Sequence, residues 1–167
     1  NNKVNFYDGM IRVVDPNGKE FAKFKPQEYL NHVGEHVEPW SYLKFPYAKK
    51  WGKFSMELAN PVGIYRTNAL ARINVCDKFT TPKAQAELEE FRKNFGRPAQ
   101  QTLLYHWARL IETVYAAERA MELVDDPELT DPNTWKPVTP RAARGIGSVE
   151  APRGTLIHDY ETDKDGI

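Results

Sequence analysis

The stretch PAQQTLLYHWARLIETVYAAERAMELV, residues 98–124, carries the strongest structural signal in the chain. Its apolar residues recur at steps of three and four, the spacing that lines one face of an α-helix. They are Leu103, Leu104, Trp107, Ile111, Val114, Tyr115, Ala117, Met121 and Val124. A helix of about 25 residues is about 37 Å long. The pattern therefore predicts one long helix that packs within a helical bundle.

Turn signals near the N-terminus predict strands. β-Branched and aromatic residues flank Asp8-Gly9, and residues 15–18 (Asp-Pro-Asn-Gly) form a second turn before the apolar run at 20–24. We expect a small antiparallel β-meander over residues 1–25. The predicted fold class is therefore α+β: the meander, then a mainly helical part with loops over residues 26–167, all in a single domain spanning residues 1–167.

Other segments give local predictions. Proline in a first helical turn predicts a helix over residues 26–37 and a second over residues 82–95, which Thr81 precedes and Gly96 ends. Residues 63–75 suggest extended structure. Residues 40–54 are aromatic without a helix or strand period, so we expect an ordered loop with partly exposed rings, through which the chain could self-associate.

Composition excludes several classes of protein. Lys plus Arg and Asp plus Glu number 23 each, and no basic tract is present, so nucleic acid is not an expected partner. The apolar runs are too short to cross a bilayer, and residues 1–8 lack the apolar core of a signal peptide. Cys76 is the single cysteine. No membrane association is expected, and a reducing, cytoplasmic location is predicted.

A zinc site is one alternative for the histidines. Residues 32–36 read His-Val-Gly-Glu-His, matching H-x-x-E-H, in which two histidines share a helix face and could ligate zinc. Gly34 weakens the helix at the centre of this motif, and no third ligand is evident. Solvated or hydrogen-bonded histidines are the simpler interpretation.

Four other features give local predictions about function or structure. The glycines of residues 145–150 (Gly-Ile-Gly-Ser-Val-Glu) suggest a phosphate loop, but the third glycine and the Lys-Ser/Thr pair are missing. Cys76 could be a nucleophile or a buried apolar residue. His106 is expected to form a hydrogen bond on a helix surface. Arg109 and Glu112 have the spacing of a helical ion pair. The arginines that could make an anion pocket around the glycines are Arg141, Arg144 and Arg153.

A longer motif lies at residues 150–158, which read EAPRGTLIH. The pattern E-A-P-R-G-x-L-x-H is the signature of [NiFe] hydrogenase large subunits. Residues 38–47 (EPWSYLKFPY) look like the NAD-reducing or soluble-acceptor branch, and residues 69–75 (ALARINV) are similar to its P-L-A-R segment. Asn68-Ala69 stands where Gly-Pro is usual. The chain thus resembles an internal segment of the large (Ni-Fe) subunit of a cytoplasmic [NiFe] hydrogenase.

The resemblance implies reversible H2 oxidation at a Ni–Fe centre with cyanide and carbon monoxide ligands, with electrons passed to a soluble acceptor such as NAD. The family holds that centre with two C-x-x-C pairs, and neither is present in this chain. We therefore expect this segment to bind no metal and to be inactive alone. The expected partners are the remainder of the large subunit, the hydrogenase small subunit, and iron–sulfur and flavin subunits.

The resemblance also implies site residues. Arg153 matches the arginine above the open coordination site, where a guanidinium can hydrogen-bond a cyanide ligand. Pro152 would fix the backbone before it. Glu150 and His158 would orient Arg153 or a cysteine loop, unless Glu150 simply pairs with Arg144 or Arg141. The alternative function is a non-catalytic, hydrogenase-like scaffold or docking subunit without a Ni–Fe centre.

Overall fold

The computed structural model describes residues 2–167, so Asn1, the first residue of the predicted unit 1–25, lies outside it. Within residues 2–167, three two-stranded antiparallel hairpins accompany four α-helices and three short 3-10 helices, which confirms the α+β prediction. The strands are β1 Ile11–Val14, β2 Glu20–Phe24, β3 Val33–Val37, β4 Lys44–Ala48, β5 Ala143–Ala151 and β6 Gly154–Thr162. The α-helices are α1 Tyr29–His32, α2 Asn68–Val75, α3 Pro82–Phe95 and α4 Leu104–Val124. The 3-10 helices are Pro26–Glu28, Lys49–Trp51 and Pro127–Thr130.

The hydrophobic core lies where α2, α3 and α4 pack against one another. Each helix contributes side chains that are almost completely excluded from solvent. Of the apolar stripe predicted for the long helix, Ile111 is buried, whereas Leu103, Met121 and Val124 are exposed. The largest apolar ones are Leu70, Ile73, Leu88, Phe91 and Ile111. Burying such side chains is the main favourable term in folding, and it fixes the relative positions of the three helices.

The long helix is confirmed, but it begins at Leu104 instead of residue 98. The buried Asn74 side chain explains the difference. Its Nδ2 donates to the Ala99 carbonyl at 2.8 Å, and the Ala99 N–H donates to its Oδ1 at 3.0 Å. Both backbone groups of Ala99 are thus bonded to α2, so this residue is not available for the first turn of α4.

The predicted helix over residues 82–95 is confirmed at both ends, with Gly96 following at φ +74°. Thr81 precedes it, yet the side-chain cap comes from α4. Glu118 accepts from the N–H groups of Lys83 and Ala84, both at 3.0 Å. A carboxylate in this position satisfies free N–H groups and complements the helix dipole, so α3 and α4 are joined electrostatically as well as by packing.

Three local predictions are wrong. Asp8-Gly9 does not close a hairpin; the single N-terminal hairpin is β1–β2, closed at residues 15–18, so the meander has only two strands. The helix predicted over residues 26–37 stops at His32, because the chain continues as β3 paired with β4. Residues 68–75 form α2 instead of extended structure, since burial among α3 and α4 outweighs the weak strand preference of its β-branched residues.

The aromatic stretch 40–54 is also more regular than predicted, because it contains β4 and a 3-10 helix. Its rings divide into two groups. Phe45 and Tyr47 pack on Phe54, with centroids 5.6 and 6.2 Å away. Trp40 and Tyr42 remain exposed, at 68% and 96%, as expected. Self-association through these rings stays a prediction.

No helix within residues 2–167 is both long enough and apolar enough to cross a membrane.

Replacing Phe91 by alanine should destabilise the chain strongly. This ring is 1% exposed and contacts Phe95 and Trp107, with centroids 5.3 and 5.8 Å away. We expect a loss of about 3–5 kcal/mol in the free energy of unfolding, measured by urea denaturation. Leu58→Ala is the matched control, because Leu58 is 99% exposed. Equal losses in both variants would contradict the assignment of the core.

Candidate functional site

Arg72 is a buried charge at the junction of three elements. It projects from α2 and is 8% exposed. Its Nε donates to Glu112 Oε1 at 2.5 Å and its Nη2 to Glu112 Oε2 at 2.9 Å. In this bidentate geometry the planar guanidinium matches the carboxylate. It is the strongest form of ion pair between side chains. It ties α2 to α4.

The remaining donors of Arg72 reach β5 and the turn that follows it. Nη1 donates to Glu150 Oε2 and to the Ala151 carbonyl, both at 2.9 Å, and Nη2 donates to the Pro152 carbonyl at 3.2 Å. Glu150 also accepts from the Thr155 hydroxyl across the hairpin. We call Arg72, Glu112, Glu150 and Arg109 the arginine cluster.

Within the arginine cluster, the charge of Arg72 faces the carboxylates of Glu112 and Glu150. Burial on its own would lower the pKa of Arg72, but the hydrogen bonds and charges of Glu112 and Glu150 outweigh it and raise that pKa. Arg72 is therefore charged in the folded chain. Nearby, burial and the charge of Glu150 raise the pKa of Tyr65, so its hydroxyl stays protonated at neutral pH.

Arg109 fixes the same turn from α4. Its Nη1 donates to the Pro152 carbonyl at 2.8 Å, and its Nη2 donates to Asn68 Oδ1. Asn68 has φ +85°, a left-handed conformation that glycine and asparagine adopt most readily. This explains why asparagine can occupy a position at which the hydrogenase family that the sequence resembles usually has glycine.

Close contact with Thr67 explains the glycine at the end of the turn. Gly154 has φ +146°, and a Cβ atom there would lie 2.8 Å from Thr67 Oγ1. Thr67 Oγ1 in turn donates to the Arg153 carbonyl at 3.4 Å. The carbonyls of residues 151–153 are therefore all held by side chains from α2, α4 or the residue before α2.

The four site residues predicted from the sequence differ in their exposure to solvent and in their hydrogen-bond partners. Glu150 lies in the arginine cluster, and Pro152 contributes its carbonyl to it. The Arg153 side chain is exposed and makes no hydrogen bond or ion pair within residues 2–167. His158 is also exposed and bonds to the Tyr160 hydroxyl through Nδ1 at 2.9 Å, so it does not orient Arg153.

The expected ion pairs of this region are wrong. Glu150 pairs with Arg72 and not with Arg144 or Arg141, because Arg144 is paired with Asp159 at 2.7 Å. Glu112 likewise faces α2 and not Arg109. Sequence reasoning missed the central role of Arg72. A signal was present, since an arginine within the apolar run ALARINV must find a partner when that helix face is buried.

The zinc interpretation is wrong as well. His32 ends α1 and stacks on Phe24 at 4.0 Å, whereas His36 lies on β3 and bonds to Glu38 Oε1 at 2.8 Å. Glu35 pairs with Lys44. Because the two histidines lie on different elements, they do not share the helix face that the motif requires.

The glycines of residues 145–150 form part of β5, so the phosphate-loop interpretation is also wrong. Arg144 is paired with Asp159, and Arg153 lies beyond the end of β5. Cys76 is buried, and burial raises the pKa of its thiol to about 11. A thiol with that pKa is a poor nucleophile at neutral pH.

The residues of this chain do not fit a metal centre. No group of three or more His, Cys, Asp or Glu side chains able to hold a metal ion occurs in residues 2–167. The single cysteine is buried, whereas iron–sulfur clusters and Ni–Fe centres require several thiolates.

The chain is similar to subunits of hydrogenases over nearly all its length. It is 50% identical to a vhu-type F420-non-reducing hydrogenase subunit of Methanococcus voltae, over 99% of the chain and 38% of that protein. It is 43% identical to an iron-sulfur subunit of the F420-non-reducing hydrogenase of Archaeoglobus profundus, over 99% of the chain and 34% of that protein. No protein-family model matches.

A solved structure agrees in fold. The crystal structure of an NAD+-reducing [NiFe]-hydrogenase in the H2-reduced state superposes with a TM-score of 0.85 at 40% identity, covering 99% of this chain and 35% of that one. The chain thus spans little more than a third of the length of these relatives. The predicted similarity to hydrogenase subunits is confirmed at this coarse level.

The narrower assignment, to the Ni-Fe large subunit of the NAD-reducing branch, is corrected by these comparisons. Identity is higher to subunits named for F420-non-reducing hydrogenases than to the NAD-reducing structure, and one such subunit is named for iron and sulfur. The expectation that this chain is part of a subunit that oxidises H2 at a Ni–Fe centre is corrected with it.

Replacing Glu112 should show how much the buried Arg72–Glu112 pair contributes to the free energy of unfolding. Glu112→Leu leaves the buried charge of Arg72 without its bidentate carboxylate partner. We therefore expect a loss of about 3–5 kcal/mol in the free energy of unfolding. Adding Arg72→Met should recover part of that loss, because the unpaired charge is then gone. Urea denaturation measures both.

Glu122→Leu provides the matched control on the same helix, since Glu122 pairs with Arg119 at the surface. Its effect should be far smaller. If Glu112→Leu and Glu122→Leu were equally mild, the pair with Arg72 would have no structural importance.

Proposed function

We propose that this chain is a non-catalytic scaffold and docking segment within a larger protein of a multi-subunit hydrogenase complex. One observation carries the proposal. The backbone of residues 151–153 is held by Arg72, Arg109 and Thr67, while the Arg153 side chain is left exposed. A rigid turn that presents one unpaired guanidinium is suited to recognition, because little conformational entropy is lost on binding.

The surroundings of Arg153 support a docking role. An open pocket of about 300 Å3 adjoins it, and its lining includes Pro46, Tyr65, Thr67 and Leu156. Apolar walls beside a cation with five N–H donors favour a carboxylate or backbone carbonyl on a partner segment. We propose Arg153 as the docking residue. Glu150 and Pro152 position it through the arginine cluster, and His158 extends the exposed surface of β6.

Electron transfer in this proposal belongs to other parts of the complex. One relative is named as an iron–sulfur subunit, yet this chain has one buried thiol. We propose that iron–sulfur groups are carried elsewhere, and that residues 1–167 act as a single structural unit that positions neighbouring parts of the complex. A cytoplasmic location remains a prediction.

Replacing Arg153 by alanine should weaken assembly of the complex without unfolding the chain. The side chain makes no contact that stabilises the isolated fold, so its thermal midpoint should be unchanged. The complex, purified through a tag on another subunit, should contain at least about tenfold less of the variant, as expected for loss of a buried charged contact. Native mass spectrometry measures this ratio.

Arg141→Ala is the matched control, because Arg141 is an exposed arginine outside the turn. It should assemble like the unaltered chain. Normal incorporation of Arg153→Ala would contradict the docking role, and equal loss in both variants would point to surface charge in general.

A further inference from the structure

The two outer edges of the β5–β6 hairpin differ. Backbone groups in an antiparallel pair point alternately towards the partner strand and away from it. Glu150 donates its N–H to the Phe6 carbonyl at 2.5 Å, and the Ile146 carbonyl accepts from Gln27 Nε2 at 3.4 Å. These two residues of β5 therefore point outwards, and their edge is covered by the N-terminal segment and the first 3-10 helix.

The outward residues of β6 follow from the same register. Glu150 is opposite Thr155 and Ile146 is opposite Asp159, with nine regular pairs and no bulge. Thr155, Ile157, Asp159 and Glu161 thus direct their N–H and C=O groups away from β5. None of these backbone groups has a hydrogen-bond partner within the described part of the chain. An uncovered edge of this length is a template for another strand.

The turn after β6 leads the chain back along this open edge. Asp163 follows the same alternation, and its outward N–H donates to the Ile167 carbonyl at 2.9 Å. The Gly166 N–H donates to the Asp163 carbonyl at 3.1 Å, and Gly166 has φ +83°. A β-turn followed by a left-handed glycine is the usual form of a three-residue hairpin loop.

Side-chain bonds hold this turn in place. Asp163 Oδ1 accepts from the N–H groups of Asp165 at 2.9 Å and Ile167 at 3.1 Å. The loop also lies against Pro140, whose Cβ would be 3.1 Å from a Cβ built on Gly166. The Asp163–Ile167 hydrogen bond therefore closes an ordered loop on the side of β6 that β5 does not occupy.

We propose that the outer edge of β6 receives a third antiparallel strand, formed by polypeptide that continues from Ile167. The hairpin loop sets its direction, and the Asp163–Ile167 pair sets its register. The second residue after Ile167 then faces Glu161, and the next alternate positions face Asp159 and Ile157. The relatives are long enough to contain such a strand, since this chain matches only 38% of the Methanococcus voltae protein.

Hydrogen exchange on the extended chain tests this proposal. We would append nine residues of alternating Thr and Val after Ile167, and a matched extension with proline at alternate positions, which cannot complete a ladder. With the Thr/Val extension, amides of Ile157, Asp159 and Glu161 should exchange at least about tenfold more slowly than in the unextended chain. The proline extension should leave them unchanged.

A control for folding of the hairpin and a variant of the loop complete this experiment. Amides of Leu156, His158 and Tyr160 point towards β5, so their protection reports that the hairpin is folded in every variant. Gly166→Val should abolish the effect of the Thr/Val extension, since valine disfavours φ +83°. Unchanged exchange with the Thr/Val extension would overturn the proposal. Concentration-dependent protection in the unextended chain would overturn it too, by showing that a second copy occupies the edge.

Discussion

The buried pair of Arg72 and Glu112 is the constraint on which the arrangement of this chain depends. A charge that is 8% exposed is tolerated only when its donors are satisfied. Arg72 meets this condition with the Glu112 and Glu150 carboxylates and two backbone carbonyls. Because these acceptors lie on α4, on β5 and in the following turn, satisfying one side chain positions three elements.

The position of the turn has a direct consequence for Arg153. Hydrogen bonds from neighbouring side chains hold the backbone carbonyls of the turn. The Arg153 guanidinium therefore faces the solvent beside an apolar pocket. The same hairpin offers the open edge of β6. The two surfaces are separate: one presents a side chain at the tip, and the other presents backbone groups along the strand. In the proposals above, both surfaces bind other polypeptide. The chain itself spans little more than a third of the relatives that it matches.

The sequence predicted what depends on local spacing. The step of three and four along α4, and proline after Thr81 in α3, describe single helices and were confirmed. The signature at residues 150–158 drew attention to Pro152 and Arg153, but it did not predict the β5–β6 hairpin in whose turn they lie. Features that depend on distant residues were missed. Arg72 and Glu112 are 40 residues apart, and Arg72 and Glu150 are 78 apart, so no local pattern relates them. α2 was misassigned because its helical form results from burial between α3 and α4.

Whether Arg72 anchors the turn can be measured as the mobility of the turn backbone, by 15N relaxation in the chain and in Arg72→Lys. Lysine keeps the charge, but its ammonium group cannot form a bidentate pair with Glu112 and also donate to the Ala151 and Pro152 carbonyls. We predict amide order parameters of about 0.85 at Arg153 and Gly154 in the chain, falling below about 0.6 in Arg72→Lys while α4 stays near 0.85. If the turn stayed equally rigid in Arg72→Lys with α4 intact, the role of Arg72 as its anchor would be contradicted.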